Sequence, residues 1–570
     1  MQVDTLIVNA RIFNSYVKTF QFQNAAVVDG RFLYIGPKGE DYFTAGEVID
    51  AGGCWMIPGL IDIHLHIESS MVAPGTFSNA LLHHGVTTIV PEPHEMANVF
   101  GLDGVKEMLH ASRDCLVDMF YAIPSSVPAT NMETTGGAIT ISDMETLLQT
   151  EPLACMGEIM NYTDIIQKPE GRTNQLLQYF REHYPDFIIE GHCPRLMDID
   201  LQRVIHAGVD SDHTHQTVAG MEERIKSGMF IEIQEKSMSP EVMDYLIQHE
   251  VKEHFCFVTD DVMPDSLYYR GHLDAVLKKA VDMGMAPEDV IYAATYTPAQ
   301  RMKFHDRGVI KPGTIADFVL LNNLETFEIE NVFKNGNRAN TENGRENLGR
   351  SFPASFYQSV QLAPLSADDF MLEAANTNQP GRRTTQRVIK VKDGSTFTQE
   401  EQHSFSVQKN GRVSWENSGF GLLSTFERYG KNGNRAHVLI DGDIIQRGAI
   451  ATTYSHDNHN LLSIGHDAED LVLACNKVME EQGGLCLVES GEILAFVPLP
   501  VGGILTEDPL DTFAPKIKKL RQEMIRLGYR HYNPLMSLST LSLAVSPAIK
   551  LTDQGLIDVN EGKFISNAVD

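Results

Sequence analysis

At 570 residues the chain is longer than one hydrophobic core supports and points to roughly two to four domains. Its hydrophobic content of 42% with 8% aromatics is that of a globular protein, which sets disorder aside. A formal net charge of −30 repels phosphate backbones and anionic membranes, so no nucleic-acid partner and no membrane partner is expected. The seven cysteines, at 54, 115, 155, 193, 256, 475 and 486, are scattered and form no C-x-x-C pair, as reduced cytosolic thiols do. The start "MQVDTLIVNARIFNS" lacks the pattern of a signal peptide, and no apolar run reaches the roughly 18 residues of a membrane span. A soluble, cytoplasmic protein is expected.

Residues 1–57 read as short strands and turns, "TLIVNARIF", "NAAVVDG", "RFLYIG" and "GEVIDAGG", with no helical period. The same texture returns at 308–340, in "GVIKPGTIADFVLLN" and "FEIENVFKNGN", so the two flanks are expected to build one small β-sandwich. Between them, residues 58–307 carry eight short apolar runs: "GLIDIHLH", "VTTIVPEPHE", "DMFYAIPSS", "LACMGE", "DFIIEGH", "GVDSDH", "GMFIEIQE" and "HFCFVTDD". Amphipathic stretches such as "NQLLQYFREHY" and "SPEVMDYLIQHE" separate them. Eight β–α alternations predict an α/β fold of the (β/α)8, TIM-type barrel class. A doubly wound sheet is the competing architecture, but no strand-linked G-x-G-x-x-G or G-x-x-x-x-G-K-[ST] loop is present. Residues 335–350 are rich in Asn, Gly and Arg and read as a linker, and residues 351–570 read as an additional C-terminal α/β domain.

Functional side chains of a parallel barrel sit at the C-terminal ends of its strands. The eight runs end in His64 and His66, then Glu92, His94 and Glu95, then Ser125, Glu158, His192, His213, Glu235, and Asp260 with Asp261. His64 and His66 stand two apart on a strand, so both point to one face and can close on one ion. Alone, a His-x-His is as well explained by a strand edge; Glu158, His192, His213 and Asp260 at later strand ends turn it into a metal centre. Imidazoles and carboxylates without thiolate suit Zn2+, Mn2+ or Fe2+, and a carboxylate such as Glu158 can bridge two ions. Asp260 is either a helix N-cap or an acid/base that takes a proton from water and returns it to a leaving group. Glu235 is either a second proton carrier or a solvated strand end.

These motifs resemble a known family. "PGLIDIHLHIESSM" is similar to the first-strand signature of the amidohydrolase superfamily, and its "IESSM" continuation resembles the adenine deaminases in particular. "PEPHEMANVFG", "PSSVPATNMETTGG", "GEIMNY", "EGHCP", "VTDD" and "GHLDAVLKKAV" continue the likeness in order, and "SHDNHNLLSIG" and "FVPLPVGGILT" extend it into the last domain. The resemblance implies hydrolysis of adenine to hypoxanthine and ammonia at a two-metal centre of manganese or iron, with zinc the third choice. It implies that His64, His66 and Asp260 hold one ion, His192 and His213 the other, and that Glu158 bridges them. Asp260 would pass a proton to the departing amine, and Glu235, Glu68 and Glu95 are the candidates for protonating the purine ring. Ser125, Thr214, Gln234 and His94 are the expected substrate-binding residues of the rim. The relatives further suggest a homo-oligomer.

The chain departs from the family pattern at two places. His213 is followed by Thr214 where the pattern has Glu, and Gln234-Glu235-Lys236-Ser237 stands where it reads Arg-Glu-Gly-Ser. Charge and hydrogen bonding at the rim therefore change, which brings a 6-substituted aminopurine such as N6-methyladenine into consideration beside adenine. Two alternatives compete: a cyclic-amide amidohydrolase on the same barrel, and a non-catalytic purine-binding homologue. The loop His456–Asn460 is dense in polar groups, and Asp457→Ala is expected to leave metal content unchanged.

Overall fold

The structure is a computed structural model that describes residues 1–339, 349–374 and 383–569. Most of the expected linker, 340–348, lies outside the described residues; its early part, Asn337–Arg338, is instead a short strand paired to Phe333 and Lys334. The chain forms two compact units. The first comprises 1–93, 109–125 and 144–350, and the second 94–108, 126–143 and 351–570.

In the first unit all eight apolar runs become strands of one parallel ring. Leu60–Leu65 pairs with Val86–Pro91, which pairs with the third strand, Asp118–Met119 continued as Ala122–Ile123. Cys155–Ile159 joins Ala122–Ile123 to Ile189–Gly191. The amide of Asp210 donates to Ile189 O at 3.1 Å, which brings in Ser211–Asp212, followed by Phe230–Ile233 and Phe255–Phe257. The ring closes where the Asp260 amide donates to His64 O at 3.0 Å. This is the expected barrel.

Strand periodicity decides which residues enter it. Ile61, Ile63, Val90, Ala122, Cys155, Cys256 and Val258 pack in one apolar layer with Ala299 and Met302 at the end of helix Pro287–Arg301. Alternate residues point the other way, so Asp62 and His64 on the first strand face the barrel interior. Both sets are buried, as in any parallel sheet covered by helices.

The expected sandwich is a single hydrogen-bonded sheet of eight strands drawn from both flanks. Its long first strand, Gln2–Asn14, pairs in parallel with Thr44–Asp50 over its first half and with Trp55–Met56 over its second. The register shifts between Ile7 and Ala10, where Asn9 takes a φ of 58°, and such a bulge bends and twists a strand. Phe318, Leu320 and Phe333 from the later flank pack with Ile7, Ala10, Ile12 and Phe32 from the earlier one.

The second unit is built on another eight-stranded sheet, from Gln399–Ser406 at one edge to Glu492–Pro498 at the other. Its neighbours run antiparallel except Arg383–Val391 beside Arg435–Gly442. Helix Ala468–Glu480, capped by the Asp467 side chain, lays Leu471, Ala474, Cys475 and Val478 on Ala449, Ala451, Cys486 and Val488. Segments 94–108 and 126–143 fold with this unit: Gly137 donates to Asn98 O at 2.9 Å, and a Cβ on Gly137 would lie 1.9 Å from Gly101 N. Only glycine permits that approach.

Candidate metal centre

Six side chains from the barrel strand ends converge in the first unit. The two oxygens of Glu158 face different histidines: Oε1 lies 3.6 Å from His66 Nε2, while Oε2 lies 2.7 Å from His192 Nδ1 and 3.2 Å from His213 Nε2. Asp260 Oδ1 lies 3.6 Å from His66 Nε2 and 3.9 Å from His64 Nε2. His64, His66 and Glu158 offer one set of donor atoms within 4.8 Å of one another, and Glu158, His192 and His213 offer a second. The carboxylate common to both sets is the feature that two adjacent ions require.

Backbone placement explains the convergence. Asp260 follows strand Phe255–Phe257 at a φ of 59°, a left-handed turn beside the neighbouring first strand. Glu158 is held from behind, because Glu92 Oε2 accepts its amide at 2.8 Å and Ser125 donates to its carbonyl at 2.6 Å. Gly157 makes room for Glu92, whose carboxyl carbon would lie 2.1 Å from an added Cβ.

Electrostatics set His64, Glu158 and Asp260 in ligating form, whereas His213 must give up a proton to bind an ion. Burial, reinforced by nearby His213, pushes His64 down to about 3, so its imidazole is neutral with a lone pair to give. Burial opposes ionisation of Glu158, but His192 and His213 outweigh it and hold the carboxyl well below the usual range. Burial likewise opposes charge on Asp260; Lys236, with Nζ 3.3 Å from Oδ2, and His213 outweigh it and keep Asp260 ionised. On His213 burial is overcome by Glu158 and Asp260, which raise it to about 9.

A divalent ion fits these residues. His64 Nε2 is buried and has no hydrogen-bond partner among the described residues, although it lies 3.9 Å from Asp260 Oδ1. Such an orphan costs about 1–3 kcal/mol, and a cation between the two groups would satisfy it.

The other expected residues divide. Gln234 donates to His213 O at 2.6 Å, and Thr214 donates to Asp212 at 2.9 Å, so both brace the sixth strand end. Glu68 is fully buried on the turn Ile67–Ser70 that follows the histidine pair. Glu235 is not brought to the cluster: its side chain is 44% exposed and pairs with Arg270 at 2.7 Å and Lys279 at 3.6 Å. His94 and Glu95 belong to the second unit, where they meet His456 and Asp457.

Two residues near the cluster were missed from sequence, Lys236 and Glu232. Glu232 Oε2 lies 3.8 Å from His64 Nδ1, and burial together with Glu190 pushes it well above the ordinary carboxyl range. The signal was available. Glu232 lies on the inward period of the strand Phe230–Ile233, and the turn Glu235–Ser237 that follows brings Lys236 to Asp260.

Comparison with known proteins bears on this geometry. The Amidohydrolase family model matches residues 55–339, and the Adenine deaminase C-terminal domain model matches residues 395–563. Adenine deaminase 2 of Shouchella clausii strain KSM-K16 is 56% identical over 569 residues, covering 99% of each chain. The chain belongs to the adenine deaminase family of amidohydrolases. Two further members of that family are the adenine deaminases of Clostridium perfringens strain ATCC 13124 and Lactobacillus delbrueckii subsp. bulgaricus strain ATCC 11842. They are 44% and 41% identical, covering 99% of this chain and 100% and 99% of their own. Amidohydrolases are hydrolases of C–N bonds. Among the described residues no helix is long and apolar enough to cross a membrane.

Proposed function

We propose that the chain hydrolyses the exocyclic C–N bond of adenine, giving hypoxanthine and ammonia, at the strand-end cluster of its barrel. The observation that carries this reading is Glu158, whose two oxygens face separate imidazole groups. The names of relatives that span 99% of the chain supply the substrate. A pair of divalent ions, manganese or iron with zinc third, would be held by His64, His66 and Asp260 and by His192 and His213 with Glu158 between, and supplies water that ionises near a pKa of roughly 7.

The protein's own groups carry the protons. Asp260, ionised beside Lys236, accepts a proton from the attacking water and delivers it to the departing amine. The purine ring gains electron density as the bond forms, so a ring nitrogen must be protonated. Glu235 is committed to Arg270 and Lys279, and Glu95 to two imidazoles in the second unit. Glu68, fully buried two residues beyond His66, is the carboxyl group we assign to that role.

The test supplies manganese-loaded full chain with adenine and, in parallel, with N6-methyladenine, and follows hypoxanthine with ammonia or methylamine. Equimolar hypoxanthine and ammonia from adenine support the reading. Absence of hypoxanthine from adenine in protein that has bound its metal would contradict it. A cyclic amide hydrolysed in its place would favour the other amidohydrolase chemistry.

A further inference from the structure

The second unit contains a ring of donor atoms from four residues other than the six of the barrel cluster. His94 Nε2 lies 3.6 Å from Glu95 Oε1 and 4.0 Å from Asp457 Oδ1. His456 Nδ1 lies 3.7 Å from Asp457 Oδ1 and in close contact with Glu95 Oε1. Two imidazoles and two carboxylates thus form a closed four-membered set, and each of the four residues is 5% exposed or less. Tetrahedral zinc, with bonds of about 2.0–2.1 Å, sets its donors ~3.3 Å apart; the separations of 3.6, 3.7 and 4.0 Å lie a little above that, and the contact between His456 and Glu95 opens to admit the ion.

A second observation points to a ligand. Asp457 is 2% exposed; its Oδ1 belongs to the ring of donors, and its Oδ2, on the same carboxylate, has no hydrogen-bond partner among the described residues. A buried carboxylate oxygen left this way is costly unless something positive completes it.

The supports behind the donors are those of a metal site. His456 Nε2 lies 3.1 Å from the Tyr454 hydroxyl, which leaves Nδ1 to face the ring of donors. His459 Nε2 contacts Glu95 Oε2, so the other oxygen of that carboxylate is steered inward. The loop is braced as well: Ser455 donates to Asn460 O at 2.8 Å, the Asn460 amide to Asn458 Oδ1 at 3.0 Å, and Tyr429 to Asn458 O at 2.6 Å. Arg428 Nη2 donates to Gly502 O at 2.7 Å, and its Nε donates to His459 O.

We propose that His94, Glu95, His456 and Asp457 form a metal site for one divalent transition-metal ion of the zinc type. Imidazole and carboxylate donors without thiolate select such an ion over copper(I). Four protein donors leave no coordination position open, so the ion is structural rather than catalytic. It ties the start of helix His94–Phe100 to the loop at 455–460, two pieces of the second unit that lie about 360 residues apart in the chain. This reverses the expectation that Asp457→Ala leaves metal content unchanged.

The test strips the full chain with a chelator, reloads it with Zn2+, dialyses it and counts zinc by mass spectrometry. Parent protein should bind one equivalent more than the His456→Gln, Asp457→Asn double variant. The His64→Ala, His66→Ala variant should keep that equivalent, so failure of the barrel reading and failure of this one are distinguishable. Anomalous scattering from crystals of the zinc-loaded parent should show a peak among the four side chains. This second measurement decides the matter if the double variant does not fold. Equal zinc counts in parent and folded double variant, or no anomalous peak among the four residues, would overturn the proposal.

Discussion

The barrel cluster and the cluster of the second unit use the same donor types but are assembled in opposite ways. In the barrel five of the eight strand ends deliver one or two side chains each, and the parallel ring places them on one rim. In the second unit a short helix start and a loop of 455–460 meet by packing, with no repeating element to bring them together. The barrel set shares a carboxylate between two groups of imidazoles and has the half-exposed Lys236 beside it, with Nζ 3.3 Å from Asp260 Oδ2. The second set closes on itself. One arrangement is suited to move protons, the other to hold a fold.

That contrast breaks if changes at the barrel cluster alter stability more than turnover. Asp260→Asn, which turns the proposed proton carrier and ligand into an amide, should give the largest effect short of removing the histidine ligands, a fall in kcat of roughly 10²–10⁴ with the melting temperature preserved. Steady-state kinetics beside calorimetry check it. Lys236→Met removes the charge that holds Asp260 ionised, and should cost about 10–100-fold in kcat/KM. Arginine at that position should restore part of the loss, which a merely structural lysine would not require.

The same contrast explains what could be read from the sequence. Eight apolar runs with polar ends were legible because strand periodicity and barrel topology are local rules, and His64, His66, Glu158, His192, His213 and Asp260 followed from them. His94 and Glu95 sit at a strand end in the sequence yet fold with the other unit, because segment 94–108 packs on 126–143 through close glycine contacts. Periodicity carries no information on that packing. Glu235 was misplaced for a smaller reason: the turn Glu235–Ser237 carries it outward to Arg270 and brings Lys236 to Asp260.

Two smaller effects sharpen the comparison by testing packing alone. Gly157→Ala would drive a methyl group to within 2.1 Å of the Glu92 carboxyl carbon, behind Glu158. Such overpacking should cost about 1–3 kcal/mol, read as a lower denaturant midpoint, with weaker metal retention as the signature of a displaced Glu158. In the second unit, burial pushes Lys550 down to about 7 from an ordinary value of 10.5. Below about pH 7 the lysine is charged in both folded and unfolded chains, and its burial penalty is fully present. Between about 7 and 10.5 the unfolded chain binds more protons, so this residue's contribution to stability rises with pH through that window. Lys550→Met should therefore gain more over the parent at pH 7 than at pH 9 in urea unfolding; equal gains at both would contradict the sign.

The central claim is that the six strand-end side chains form the hydrolytic centre. Its most direct test is the His64→Ala, His66→Ala variant, purified beside the parent, reloaded with manganese and assayed for bound metal and hypoxanthine formed from adenine. The account predicts folded protein that has lost metal from the barrel and turns adenine over at background rate. A folded variant that forms hypoxanthine as fast as the parent would contradict it.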